Sequence, residues 1–123
     1  MHYICTVMIS KTTDSPMDKN QSQLRKGTLE FCILLIIDRS PLIYAPDILK
    51  KLAGIDMVVV EGTIYPLLSR LKREGMLDYQ WEESKNGPPR KLYELTKDGQ
   101  KLLAEQVDNW KSLSSSISSL LQS

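Results

Sequence analysis

Arg70, Lys72 and Arg73 lie close together, with Thr63, Tyr65 and Ser69 just ahead of them in the same stretch. Further along, Lys85, Arg90 and Lys91 form a second basic group. Guanidinium and ammonium groups donate to phosphate oxygens, and Arg also makes bidentate contacts to base edges. Hydroxyls of Thr, Tyr and Ser donate to the same acceptors. The chemistry on offer is recognition of a polyanion rather than bond making. Catalytic patterns are missing: there is no Gly-rich phosphate loop, no recognisably spaced carboxylate pair and no nucleophile–histidine pair, His2 being the one histidine. The two cysteines, Cys5 and Cys32, sit far apart in apolar surroundings, which is neither a disulfide framework nor a zinc site. Both suit a reducing compartment, and Cys32 reads as core. No enzymatic activity, metal or cofactor is expected.

The bulk properties neither help nor hinder this reading. At 123 residues the chain has the length of one domain, with 41% hydrophobic and 25% charged residues. Its net charge is only +1, so a nucleic-acid partner must be argued from where the basic residues sit. The apolar run Tyr3–Ile9 lacks a basic flank, is too short to span a bilayer and is followed by no convincing cleavage site. A cytoplasmic chain without membrane contact is expected. Residues 1–22 read as a disordered leader, with Met17 an alternative start.

Four helices and a hairpin must position the basic groups. Lys26–Asp38 is apolar on nearly every side, including Leu29 and Ile33, and its length favours a helix over a buried strand. Such a helix needs cover on both sides, either as the central helix of a monomer or against a partner subunit. Arg25 and Lys26 would stand at its N-terminus, where positive charge is unfavourable; that placement hints at an external anion such as phosphate. A second helix is expected over Pro46–Ala53, ended by Gly54. In a third, Ile64, Leu67, Leu68 and Leu71 share one face, while Gly62, Pro66, Ser69 and Arg73 occupy the opposite one. Thr63, Tyr65, Arg70 and Lys72 fall on its flanks, Pro66 implies a start or bend nearby, and Gly75 ends it.

Leu77, Tyr79 and Trp81 alternate with polar residues as a half-buried strand does. Lys85–Pro89 is a turn by composition, and Arg90–Leu95 returns. Thr96 is placed to cap a last helix running to about Leu121, with Asp98 in its first turn. Leu103, Val107, Trp110, Leu113, Ile117 and Leu120 give that helix a narrow apolar seam suited to another helix.

This order predicts a mainly α, α+β fold: a winged helix-turn-helix with a two-stranded wing over residues 23–96 and a long C-terminal dimerisation helix over 97–123. In that fold the third helix enters the DNA major groove and the wing touches the adjacent backbone. Lys26, Gly62, Thr63, Tyr65, Pro66, Ser69, Arg70, Lys72, Arg73, Lys85, Arg90 and Lys91 are the candidate DNA contacts. Glu61, Glu74, Glu82 and Glu83 argue against a dense non-specific patch. The competing reading is a winged helix used only for protein–protein contact, since fold alone does not decide function.

Several ordered blocks carry a more specific resemblance. Lys26–Leu29, Val60–Leu68, Arg70–Leu71, Glu74–Met76, Trp81–Glu82, Gly87–Lys91, Tyr93 and Leu95–Gly99 resemble the pattern of the PadR family. The resemblance covers roughly Gln23–Gln122 and matches the family's shorter branch. It implies a homodimeric repressor that binds double-stranded DNA, with Leu29, Ile33 and the seam of the last helix as dimerisation residues. It also implies a small aromatic effector bound between subunits, for which Trp110 is the candidate contact; a large interface anchor is the alternative role for that ring. One departure stands out. Where the family has a Gly-Tyr pair opening its second helix, this chain has Ala45–Pro46, which leaves the role of the missing aromatic open.

Overall fold

The computed structural model describes residues 16–83 and 86–123, with side chains from Gly27 onward. Helix α1, Pro16–Asp38, starts at Pro16 rather than at Lys26. Proline is suited to a first helical turn, and no further helix breaker follows before Gly27. Residues 16–22 of the expected leader therefore belong to α1, while residues 1–15 lie outside the described residues. Lys26 consequently sits in the helix interior, and the argument from charge at a helix N-terminus does not apply to it. A division falls inside α1: one compact unit ends at Glu30, and the other, Phe31–Ser123, holds all later elements.

Within the second unit, helix α2 spans Ala45–Gly54 and helix α3 spans Glu61–Arg73. Gly54 is the last residue of α2 rather than its terminator. The left-handed position falls instead on Asp56, with φ 60°, a conformation Asp adopts more readily than most residues. Gly75, at φ 80°, does turn the chain out of α3. Strands β1, Leu77–Glu82, and β2, Arg90–Leu95, pair antiparallel with Leu77 opposite Leu95 and Trp81 opposite Lys91. A bridge between Ile43 and Tyr93 ties the start of α2 to this hairpin. Helix α4 covers Lys97–Gln122.

The core is formed by one face of each element. Ile33, Leu34 and Ile37 of α1 are buried with Ile48 and Leu52 of α2, Ile64, Leu68 and Leu71 of α3, Leu77, Tyr93 and Leu103. Each such aliphatic side chain stabilises the fold by about 1.5–3 kcal/mol. The other side of α1, with Phe31, Cys32, Leu35 and Ile36, is half-buried, so a single chain covers that apolar helix only in part.

Burial fades along the wing. Leu77 is 1% exposed but Trp81 is 61% exposed, so the alternation expected to mark a half-buried strand holds only at its root. The same happens along α4. Leu103 is its last buried side chain; Val107 is half-buried, and Trp110, Leu113, Ile117, Leu120 and Leu121 are exposed. No helix among the described residues is long and apolar enough to cross a membrane.

Candidate nucleic-acid interface

Helix α3 turns Ile64, Leu68 and Leu71 into the core. Gly62, Thr63, Tyr65, Pro66, Ser69, Lys72 and Arg73 are left exposed and Arg70 half-buried. Val60, the residue before the helix, caps it with no side-chain hydrogen bond. Pro66 lies inside α3. Lacking an N–H, it cannot satisfy the Gly62 carbonyl four residues earlier. Connecting α2 to α3, Ile55, Val58 and Val60 are exposed; apolar groups at such an edge can meet thymine methyls.

The cations fall into two sets. Arg70 is committed along its own helix, its Nη1 2.9 Å from Glu74 Oε1. Lys72 lies 3.6 Å from Asp78 Oδ1 and over the Tyr79 ring at 5.7 Å. Both pairs are exposed and contribute little to stability, but they hold these side chains along the helix and toward the root of the wing. Arg73 is exposed and makes no ion pair among the described residues. On the wing, Lys91 Nζ sits 4.6 Å from the centre of the Tyr79 ring and 5.3 Å from that of Trp81. Arg90 lies 5.1 Å over the Tyr44 ring. Stacking on aromatic faces holds both cations in place.

Tyr44 anchors this corner. Its hydroxyl donates to Glu82 Oε1 at 2.5 Å, which holds its proton more firmly than in a free phenol and raises its pKa. Tyr93 is also shifted upward, in its case chiefly by burial. Both phenols stay neutral donors at physiological pH.

Between the start of α2, the outer face of α3 and the wing lies a groove of about 540 Å³. Tyr65 and Ser69 line it from α3, and Pro89, Arg90 and Lys91 from the hairpin. Of the residues expected at an interface, the structure thus gathers Tyr65, Ser69, Arg90 and Lys91 around one concavity. Gly62, Thr63, Pro66 and Arg73 lie on the exposed side of α3 outside it, and Arg70 and Lys72 are turned to local partners. The side chains of Lys26 and Lys85 lie outside the described residues. Sequence reasoning missed Tyr44, Lys50 and Trp81, which also line the groove. Trp81 looked like core because it continues an alternation, and its pairing with Lys91 across the hairpin was the available signal.

The seam of α4 is divided as well. Ile33 and Leu103 are buried within Phe31–Ser123, so their side chains are covered without a partner. Trp110, Leu113, Ile117 and Leu120 are exposed along one helix, and the Trp110 ring lies 6.3 Å from that of Phe31. Burial pushes the half-buried Cys32 thiol upward, opposite to what a nucleophile needs. No cluster of potential metal ligands occurs among the described residues.

Comparison with known proteins agrees with this geometry. Residues 33–105 match the transcriptional regulator PadR-like family. A PadR-like transcription factor from Bacteroides fragilis is 46% identical, with 83% of this chain and 98% of that chain covered and a TM-score of 0.71. A PadR-like transcriptional regulator from Bacillus cereus is 37% identical, covering 82% and 98%, with a TM-score of 0.74. A PadR family transcriptional regulator from Eggerthella lenta is 29% identical over 86% and 92%, with a TM-score of 0.77. No curated protein matches the sequence.

Proposed function

Because the chain belongs to the PadR-like family of transcriptional regulators, we propose that it is a cytoplasmic homodimeric repressor that reads a pseudo-palindromic operator. The observation that carries this reading is the exposed face of α3 flanked by a wing whose cations are held in place on aromatic rings. Helix α3 enters the major groove, and Arg90 and Lys91 meet the neighbouring phosphates. The exposed strip of α4, from Trp110 to Leu120, packs on its counterpart in a second copy and sets the half-sites about one helical turn apart, roughly 10 bp. An aromatic effector seated at that seam would touch Trp110 and release DNA by favouring another dimer geometry.

Footprinting on the DNA upstream of the protein's own gene and its neighbours, at two salt concentrations, tests the reading. A roughly symmetric protected site whose affinity falls with salt is expected. A folded dimer that protects no duplex at either salt would instead favour a winged helix used for protein contact. At the operator, Arg73→Ala is expected to weaken binding by about 1 kcal/mol or more if its guanidinium reaches a base edge. Unchanged affinity would take Arg73 off the reading face.

A further inference from the structure

The segment that leads into α3 presents apolar groups to solvent. Val58 is 79% exposed and Val60 67%, while Met57 and Val59 are half-buried. That alternation has the period of an extended segment, in which residues two apart share a side, and here Val58 and Val60 turn outward together. The approach to the segment is fixed by backbone hydrogen bonds. The Ile55 and Met57 N–H groups donate to the Leu52 carbonyl at 3.1 and 2.9 Å, and that of Asp56 donates to the Ala53 carbonyl at 3.0 Å. Val60 also holds the cap position of α3, with φ −86° and ψ 156°. Ser, Thr, Asp or Asn there would accept an N–H of the first turn, and the Val60 side chain accepts none. The fold thus forgoes a stabilising cap at the same position where it exposes a branched apolar side chain.

We infer that Val58 and Val60 read thymine methyl groups in the major groove and so decide which bases the operator carries there. The inference rests on the reading of α3 as the helix that enters that groove. Three observations favour a base edge over another partner. The exposed face of α3 continues directly from Val60 through Gly62 and Thr63, and a recognition helix meets base edges with its N-terminal residues. Nothing in the chain occupies the space where a Gly62 Cβ would stand, so the missing side chain leaves room for an outside group to come close. Asp56 and Glu61 flank the valines, exposed and without an ion pair among the described residues. Their charge repels phosphate oxygens, whereas a carboxylate beside a base edge can accept from cytosine N4. This end of the helix therefore suits bases rather than the strand backbone. Val58, Val60 and the neighbouring Ile55 are also too few for a stable protein interface, which takes about 20–30 residues a side. Methyl-sized targets fit them. Valine carries no charge, so its contacts add to affinity without adding to the salt dependence.

Replacing every thymine of the footprinted operator by deoxyuridine removes the methyl groups and leaves the pairing intact. Each buried methyl is worth about fourfold in affinity, and a symmetric site holds equivalent contacts in both halves. The full chain is therefore expected to bind the uracil duplex about tenfold more weakly or worse than the thymine duplex. The double substitution Val58→Ser with Val60→Ser should bind the two duplexes within about twofold of each other, with the salt slope of the parent. Val60→Ser alone supplies the missing cap. It should raise the melting temperature by about 4 °C while weakening the preference for thymine, so that misfolding is not the cause of the loss. Equal binding of thymine and uracil duplexes by the parent would overturn the inference and leave the regulator reading intact. An undiminished thymine preference in the double variant would also overturn it, by placing the methyl contacts on other residues. A loss of affinity accompanied by a smaller salt slope would mark a phosphate contact at this segment instead. A parent protein that protects no duplex at all would remove the regulator reading itself, and this inference with it.

Discussion

Gly99→Ala is expected to cost about 3 kcal/mol of folding stability and to lower the melting temperature by roughly 10 °C or more at fixed protein concentration. A Cβ at Gly99 would run into the carbonyl oxygen of Met76, with the Leu95 Cδ2 atom 3.4 Å away. That oxygen cannot swing clear, because it accepts the Thr96 N–H at 3.1 Å. Thr96 in turn donates through Oγ1 to the Gly75 carbonyl at 2.6 Å and accepts the Gly99 N–H at 3.0 Å. The end of α3, the start of β1 and the first turn of α4 are thus joined within a few residues. Admitting a methyl group means lifting the first turn of α4, which loses a cap worth about 1 kcal/mol and uncovers Leu103. Chemical denaturation of Gly99→Ala beside Gln100→Ala, a change at an exposed neighbour, measures the difference. The neighbour should stay within about 0.5 kcal/mol of the parent. Equal stability of both variants would mean that α4 is not seated on Met76 in this way.

The double substitution Leu113→Glu with Ile117→Glu is expected to convert the proposed dimer into a monomer and to lower operator affinity about a hundredfold or more. Both side chains are exposed on the same strip of α4 as Trp110 and Leu120, far along the helix from its last buried residue, so the body of the chain has no reason to unfold. Two carboxylates on a helix–helix seam would be desolvated without partners. A monomer then binds each half-site independently and loses the effective concentration that linkage provides, a factor of about 10²–10⁴. Sedimentation velocity reads the first effect and operator titration the second. A double variant that remains dimeric would move the dimer contact away from this strip. One that becomes monomeric yet keeps full operator affinity would remove the need for a dimer on DNA.

Helical periodicity located α3 and an inner face of Ile64, Leu67, Leu68 and Leu71, of which Leu67 is only half-buried, and the Thr96 cap and Gly75 turn followed from residue type alone. Those signals are local: they depend on residues within a turn or two of one another. What the sequence concealed was tertiary. Ile33 and Leu103 read as dimer contacts from their apolar surroundings, yet a pattern cannot say whether an apolar face meets its own chain or another one, and here both are buried within Phe31–Ser123. Trp81 continues the alternation of Leu77 and Tyr79, but nothing in a period-two pattern tells where a strand leaves the core. Arg70 and Lys72 were grouped with Arg73 by proximity, whereas Glu74 and Asp78 draw them aside. The groove between α2, α3 and the wing needed three elements to be brought together before it existed at all. The start of α1 at Pro16 was hidden because a polar stretch reads the same in a helix and in a coil.

The bare second half of α4 also bears on how many copies of this protein a cell can keep. The body of the chain buries α4 at Gly99 and Leu103 and half-buries Val107, whereas Leu113, Ile117, Leu120 and Leu121 are exposed. From Leu113 onward the exposed stretch has few contacts to lose, and such weakly held segments open at small free-energy cost. An opened stretch carrying Leu113, Ile117 and Leu120 is a ready substrate for cellular proteases, while in the proposed dimer a partner would hide it. Degradation would then fall most heavily on unpaired chains, so that turnover itself sets a floor concentration below which the protein does not accumulate and above which it persists.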